Sequence, residues 1–283
     1  MLLPAAVVVF GVVVYPMLRT LLISFFEVDS AVATSTPFVG LRNYADILSD
    51  AQFWSATGRT LYFTVASTAL ELTFGTAIAL LLNAPLRLRW LFRAVVVLPW
   101  ALPTVVSGAM WRGVLNAQYG SLNALLTQLH LTSDYHSWLG TPLSALNMLV
   151  LADVWKTTPL VAFFLLSGLQ SIPPAVYESA RVDGAGPIRS FWSLTLPLLL
   201  PSVSVVLILR TIDAFKVFDL VYVLTGGGPA NGTQTIAFFT YAQAFSNQRF
   251  GFGSALADVI VVCILVLSAV YLRALRRGEM SVL

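Results

Sequence analysis

Six apolar segments, each long enough to cross a bilayer, constrain the fold of this chain more than any other feature of its sequence. A membrane-spanning helix needs about 20 mostly apolar residues. The qualifying segments lie approximately at residues 3–26, 57–82, 91–115, 144–169, 198–224 and 252–275. With 58% hydrophobic and only 10% charged residues, the chain is too apolar for an ordinary soluble domain. We therefore predict an all-α membrane protein with six transmembrane helices.

The first segment also raises the question of a signal peptide. It has no basic residue ahead of it and no clear small-x-small cleavage site, and it is long enough to span. We interpret it as a span whose cytoplasmic tail is missing or trimmed. Because no soluble domain, low-complexity tract or charge run separates the segments, we expect residues 1–283 to form a single transmembrane domain. Its core of spans lies between about residues 57 and 275.

Arginines between the segments predict the orientation of the chain in the membrane. One set of connections holds Arg87, Arg89, Arg93, Arg181, Arg189, Arg273, Arg276 and Arg277, whereas the other holds only Arg42, Arg59 and Arg249. Cytoplasmic connections carry an excess of Lys and Arg. We therefore expect an N-in, C-in topology, with the connection that begins at Ser171 in the cytoplasm. On the outer side, we expect residues 225–250 to fold back against the outer mouth.

The stretch from Ser171 to Pro201 is the longest amphipathic, helix-capable connection between two apolar segments. Two prolines, Pro173 and Pro174, are tolerated at a helix start because the first turn has no amide hydrogen bonds to lose. Gly184 can take the positive φ that ends many helices. The pattern predicts a short helix over residues 175–182, a turn, and a second amphipathic piece over residues 187–196 before the next span.

Ionisable residues inside the predicted spans need a partner or a function, because each costs at least about 2.5 kcal/mol at the bilayer centre. The fourth segment contains Asp153 and Lys156, and the fifth contains Arg210, Asp213, Lys216 and Asp219. Residues three and four apart share a helix face. One predicted stripe is therefore Asp153, Lys156, Thr157 and Leu160, and the other is Arg210, Asp213, Ala214 and Val217.

Two interpretations of these stripes remain open. In the first, ion pairs of Asp153 with Lys156, or of Asp213 with Arg210, hold helices together. In the second, the stripes line a polar cavity for a neutral, hydroxyl-rich solute, because balanced acids and bases can hydrogen-bond sugar hydroxyls without a net charge. The other charges in or near the spans are expected to be interhelix pairs or interfacial anchors; they are Arg19, Glu71, Arg112 and Asp258.

Several function classes have little support in the sequence. His130 and His136 have no carboxylate motif beside them and Cys263 is the lone cysteine, so we expect neither a metal site nor a cofactor. A net charge of +3 is too small and scattered for nucleic-acid binding. No P-loop is present for ATP. An intramembrane enzyme that uses Asp153 or Asp213 would lack a catalytic motif.

The amphipathic stretch carries a recognisable motif. Its elements are Glu178-Ser179-Ala180, Asp183-Gly184-Ala185, Phe191, Leu196-Pro197 and Pro201. This pattern resembles the EAA loop in the permease subunits of binding-protein-dependent ABC importers, although Ser179 stands where that family usually has Ala. Gly40-Leu41, Asn43-Tyr44, Leu98-Pro99 and the run from Leu224 to Pro229 look like the carbohydrate branch, on the side of the larger maltose-type permease. Residues 155–159 and 210–215 are similar to mycobacterial trehalose importers.

The resemblance implies a type I ABC importer permease fold in which the loop at residues 171–197 is a coupling helix seated in a cytoplasmic ATPase. The implied coupling residues are Tyr177, Glu178, Ser179, Ala180, Asp183, Gly184 and Ala185. The resemblance also implies that both stripes contact the sugar. The chain itself would not be an enzyme, because ATP hydrolysis resides on partner subunits.

The implied partners are a second, homologous permease in a heterodimer, two cytoplasmic ATPase subunits and an extracytoplasmic sugar-binding protein, either soluble or a lipoprotein. The implied location is the bacterial inner membrane. The expected cargo is a neutral di- or oligosaccharide, with trehalose or maltose as first candidates. Glycerol phosphate, an oligopeptide or an amino acid remain alternatives. A stand-alone secondary transporter or channel is a further alternative, against which the amphipathic loop and the lack of a detectable inverted repeat argue.

Overall fold

A computed structural model describes residues 7–30, 35–85 and 87–280, and in this part of the chain the regular structure is helical apart from an isolated bridge between Phe26 and Phe38. The helices are α1 (Val9–Ile23), α2 (Arg42–Ser49), α3 (Ala51–Asn83), α4 (Arg89–Ala101), α5 (Thr104–Val114), α6 (Ser121–Gln128), α7 (Pro142–Gln170), α8 (Pro174–Val182), α9 (Pro187–Phe215), α10 (Asp219–Leu224), α11 (Ile236–Tyr241, which continues as a π-helical segment, Ala242–Ser246) and α12 (Phe250–Met280).

Four of the described helices are long and apolar enough to cross a membrane, namely α3, α7, α9 and α12. The pair α4 and α5 makes a fifth crossing if it is one broken span. Helix α1 is a shorter apolar helix, and residues 3–6 of the first predicted span lie outside the described residues. The predicted all-helical membrane fold is confirmed, whereas the count of six spans is not established.

The third predicted span, residues 91–115, is not one continuous helix. Helix α4 ends at Ala101, and α5 leaves it at an angle of 91°. Pro103 has no amide hydrogen to continue the helical ladder, and Leu102 before it adopts an extended conformation with ψ 136°. The prediction of one spanning helix over residues 91–115 counted apolar residues and did not weigh this proline, so it missed the break.

The fifth predicted span, residues 198–224, is wrong at both ends. Helix α9 begins at Pro187, where the second amphipathic piece was predicted to begin, but it runs without a break through a wider π-helical segment, Phe191–Thr195, so residues 187–196 are part of the same helix as the span. At the other end the helix stops at Phe215. The Thr235 hydroxyl donates to the backbone oxygen of Val217 at 2.9 Å. A side chain thus supplies the hydrogen bond that this backbone carbonyl no longer receives from the helix. This bond permits a turn in apolar surroundings.

Close packing of α3 against α7 forms the centre of the molecule. A Cβ atom placed on Gly75 would lie 2.5 Å from Cγ1 of Val161, so these helices approach where only a glycine fits. Apolar clusters around Leu149 and around Leu165 lie along this pair. Residues 225–250 fold back onto the helices, since α11 packs on α3 and α12 and the Ile236 amide donates to Thr60 Oγ1 at 2.8 Å.

Candidate functional site

Arg210 lies at the centre of a buried polar cluster that joins three helices. Its Nε atom donates to Glu71 Oε2 at 2.5 Å, and its Nη2 atom donates to Glu71 Oε1 at 2.9 Å and to Asp153 Oδ2 at 3.1 Å. Glu71 belongs to α3, Asp153 to α7 and Arg210 to α9. Only 5% of the Arg210 side chain is exposed, and Glu71 is fully buried. The cluster therefore ties the three helices together inside the protein.

Thr157 completes this cluster. Its hydroxyl lies 2.6 Å from Glu71 Oε1 and 2.5 Å from the backbone oxygen of Asp153, and it donates to one of them at a time. Two carboxylates therefore share one guanidinium and one hydroxyl in a buried space. Removal of one member of such a network leaves the others as unpaired buried charges. This destabilises the fold far more than replacement of the whole network by apolar side chains would.

The interpretation of the stripes as ion pairs named the wrong partners. It paired Asp153 with Lys156, or Arg210 with Asp213, whereas Arg210 pairs with Asp153 and Glu71. Asp213 instead pairs with Lys216, whose Nζ lies 3.1 Å from Oδ1. The expectation that Glu71 makes an interhelix pair is confirmed. The error arose because helical spacing compares residues of one helix only, whereas Glu71 is 139 positions from Arg210 in the chain.

The eight predicted stripe residues separate into two groups. Asp153, Thr157, Arg210 and Ala214 are buried within this chain, whereas Lys156, Leu160, Asp213 and Val217 remain partly or well exposed. Half of the Asp213 side chain and 56% of the Lys216 side chain are accessible. Val217 lies beyond the end of α9, so it does not share the helical face on which it was predicted. The accessible group is therefore open to contacts from outside this chain.

A second polar stripe went unnoticed in the sequence. Helix α3 buries Thr60, Thr64, Ser67, Thr68 and Glu71. Their spacings of three and four place them on one face. Among the described residues, the hydroxyls of Thr64, Ser67 and Thr68 have no hydrogen-bond partner in the protein. Hydroxyls recurring at helical spacing in an apolar segment were the available signal, since buried hydroxyls are normally paired.

The predicted coupling loop contains the short helix that was expected. Helix α8 ends at Val182, and Gly184 follows with φ +75°, the positive value that its position predicted. Ala180 is buried, whereas Glu178, Ser179, Asp183 and Gly184 are exposed and Ala185 is half-buried. The short helix therefore presents a largely free surface.

Tyr177 anchors α8 to the rest of the molecule. Its hydroxyl lies 3.2 Å from Thr195 Oγ1, and its ring packs against the apolar cluster around Leu165. A groove of about 670 Å³ lies between α8 and the start of α9, with Arg181 and Trp192 among its lining residues. Tyr177 thus contacts α9 through Thr195 and the cluster that includes Leu165 of α7.

Comparison with known proteins identifies the family of this chain. Residues 71–278 match the family described as the binding-protein-dependent transport system inner membrane component. The chain belongs to this family. The permease is therefore a multi-pass inner-membrane component of a transport system that depends on a binding protein, and ATP hydrolysis is the task of a separate subunit.

Named relatives cover nearly all of the permease. It is 44% identical to the trehalose/maltose transport system permease protein MalF of Thermococcus litoralis over 96% of this chain and 91% of the relative. It is 35% identical to the trehalose transport system permease protein SugA of Mycobacterium tuberculosis over 95% of this chain and 85% of the relative.

The fold agrees with solved ABC importers. The permease superposes with a TM-score of 0.86 on a chain of a bacterial ABC transporter that imports the acidic polysaccharide alginate, covering 98% of this chain and 94% of the other. Their sequence identity is 23%, so this likeness concerns the fold alone. The expected type I importer permease fold is confirmed.

Proposed function

We propose that this permease forms half of the translocation path of an ATP-driven importer for a neutral di- or oligosaccharide, with trehalose or maltose as the first candidates. The observation that carries the proposal is the 44% identity to a trehalose/maltose permease over nearly the whole chain. A relative from Agrobacterium fabrum, 38% identical over 99% of the chain, is named for sulfoquinovosyl glycerol, which makes that solute the competitor to test.

The proposed solute site consists of the eight stripe residues acting in two ways. Lys156, Leu160, Asp213 and Val217 contact the sugar, because their side chains remain accessible on α7, on α9 and just beyond the end of α9. Asp153, Thr157, Arg210 and Ala214 act from behind them by fixing the two helices. Asp213 pairs with Lys216 at 3.1 Å, so its carboxylate can accept hydrogen bonds from sugar hydroxyls while its charge is balanced, which suits a neutral solute.

The proposed transporter is assembled from separate chains. A second, homologous permease completes the path, two cytoplasmic ATPase subunits drive it, and an extracytoplasmic sugar-binding protein, soluble or lipid-anchored, delivers the solute. Residues 1–283 act as one domain, oriented N-in and C-in, which places α8 in the cytoplasm. The excess of arginines in the connections on that side supports this orientation.

The proposed coupling runs through the loop at residues 171–197. The ATPase grips the exposed surface of α8 at Glu178, Ser179, Asp183 and Gly184. Tyr177, Ala180 and Ala185 link that surface to the helices behind it, since Ala180 is buried and its backbone oxygen accepts from the Ala185 amide at 2.9 Å. Closure of the ATPase would then rock α7 and α9 about the central path as rigid bodies.

Substitution of the accessible charges tests the solute site. We expect Lys156→Ala and Asp213→Ala to abolish uptake of trehalose or maltose by the complete importer in proteoliposomes, because both remove hydrogen bonds to the sugar. Co-purification of all subunits should be unchanged, since neither residue belongs to the buried cluster.

The matched control is Asp219→Ala, an exposed carboxylate at the start of α10 that lies outside the stripes. It should transport as the parent does. If Lys156→Ala and Asp213→Ala transported normally, the proposed site would be refuted. If they instead lost the partner subunits, the two residues would be structural.

A further inference from the structure

A continuous row of aromatic rings leads away from the proposed solute site. Starting at Phe218, ring centroids follow at 5.0 Å to Tyr241, 5.3 Å to Phe245 and 6.1 Å to Phe250. Tyr222 stands beside the first two, 5.5 Å from Phe218 and 5.6 Å from Tyr241. We call these five residues the aromatic row. It joins the end of α9 to the start of α12.

The aromatic row is partly exposed and is held in place from behind. Tyr222 is 51% exposed and Phe245 63% exposed, whereas Phe218 and Tyr241 are half-buried. Phe238 lies buried beneath the row, 6.2 Å from Phe218. The row therefore exposes aromatic surface, and its end at Phe218, Tyr222 and Tyr241 rests on a buried ring.

Its position connects the outside with the solute site. Lys216 and Val217 directly precede Phe218 in the chain, and Asp213 pairs with Lys216. In the proposed orientation, residues 225–250 lie on the outer side. The row therefore extends from the outer segment to the residue that follows Lys216 and Val217 in the chain.

The chemistry of the row fits sugar rings. Aromatic faces pack well against flat apolar surfaces, and the C–H faces of a pyranose ring present such a surface while its hydroxyls point to the sides. Tyr222 and Tyr241 add two hydroxyls that can hydrogen-bond to a solute beside the rings. No charged side chain belongs to the row. An apolar lining with a few hydroxyls is the usual composition of a site for a neutral small molecule.

We propose that the aromatic row is a stacking track along which the rings of a carbohydrate pass from the outer mouth to the solute site. This inference rests on the proposed function. It adds a second contact region, outside the charged stripes, that recognises the ring face of the sugar rather than its hydroxyls. Two other contacts would also explain why these rings are exposed. One is lipid headgroups, since aromatic residues are enriched at membrane interfaces, and the other is the second permease.

Substitution of Tyr241 separates these possibilities. The complete importer, with its binding protein and ATPase subunits, is reconstituted in proteoliposomes, and initial uptake of radiolabelled trehalose, maltose and maltotriose is measured at saturating binding protein. We expect Tyr241→Leu to lower uptake about two- to tenfold, as loss of one aromatic contact would. Tyr241→Phe should retain most of it, because the ring face remains. Co-purification of the subunits should be unchanged for both variants.

A second position tests whether the row acts as a track. Phe245→Leu, further along the row, should reduce uptake of maltotriose more than uptake of maltose, because the longer sugar occupies more rings at once. Phe74→Leu is the matched control, since Phe74 is 50% exposed on α3 and lies outside the row. It should leave uptake of every sugar unchanged.

Each contrary outcome has a distinct meaning. Parental uptake in Tyr241→Leu and Phe245→Leu would overturn the track, and equal losses in Phe74→Leu would assign the effect to lipid contact. Loss of the second permease on co-purification of Tyr241→Leu would make the row a subunit interface. If the unsubstituted importer transported none of the three sugars, the proposed function itself would fail, whatever the variants did.

Discussion

At the scale of single residues, Arg210 explains why charges persist inside apolar helices. It satisfies Glu71 and Asp153 at once, and these carboxylates belong to two other helices. A buried ion pair adds little net stability over a well-packed apolar core, but breaking it is severely destabilising. The cluster is therefore a positional device: it fixes how α3, α7 and α9 stand beside one another.

Glu71→Ala should destabilise the permease by about 3–5 kcal/mol, because it leaves the Arg210 guanidinium buried with half of its partners gone. Loss of monodisperse complex on gel filtration after graded heating measures this effect.

The triple variant Glu71→Gln, Asp153→Asn and Arg210→Met is the matched control. It should recover much of the lost stability, because it removes all three charges of the buried cluster and leaves none of them unpaired. A Glu71→Ala variant as heat-resistant as the parent would show that the buried cluster does not hold the helices together.

The sequence was sufficient to find these charges but not to pair them. Asp153 and Arg210 stood out because ionisable residues are costly in apolar segments. Their common partner, Glu71, could be predicted only as some interhelix pair, since the choice depends on how α3 packs against α7 and α9. The burial of individual side chains could not be predicted for the same reason. Thr157 and Leu160 share a predicted helix face, yet Thr157 is buried and Leu160 is half-exposed.

At the scale of elements, α8 and the turn after it were predictable because they depend on local rules. Prolines at the start and a glycine after the end define such a helix without help from the rest of the fold. The helix breaks at Pro103 and Lys216 were harder to predict from the sequence. Tertiary contacts, such as the hydroxyl of Thr235 on the backbone oxygen of Val217, make the break after Phe215 possible.

Gly184→Val should reduce the ATPase stimulation that the binding protein produces in the complete importer. A β-branched residue at φ +75° is strained by about 1–3 kcal/mol and would distort the turn next to the surface proposed to contact the ATPase. ATP hydrolysis measured with and without loaded binding protein gives the result.

Two controls accompany this variant. Gly186 has equal free space around it but φ −71°, so Gly186→Val should remain coupled. Gly184→Asn should lose less of the ATPase stimulation than Gly184→Val does, because Asn tolerates a positive φ. Full stimulation in Gly184→Val would contradict a coupling role for this turn.

At the scale of the whole molecule, the orientation in the membrane rests on the distribution of arginines. Single cysteines test it, introduced after replacement of Cys263, the one native cysteine, by Ser. A membrane-impermeant maleimide added to intact cells should label Asp134→Cys and should not label Ser171→Cys; both positions are exposed in the structure. Disruption of the cells should make Ser171→Cys reactive, whereas the opposite pattern would invert the topology.

The architecture as a whole was predictable because its dominant determinant, long apolar segments, is visible in the chain. The helical membrane fold follows from the need to satisfy backbone groups in lipid. The number of crossings does not follow in the same way. Residues 91–115 form two helices at 91°, and an apolar count cannot tell such a broken segment from a straight span.

The most direct test of the central claim is carbohydrate uptake into proteoliposomes that contain the complete importer, with ATP supplied on the side of the ATPase subunits. Radiolabelled trehalose and maltose should accumulate only when ATP, the ATPase subunits and the sugar-binding protein are all present. Omission of any one should abolish accumulation. Uptake by this chain alone, without ATP, would contradict the account and make the protein a stand-alone transporter.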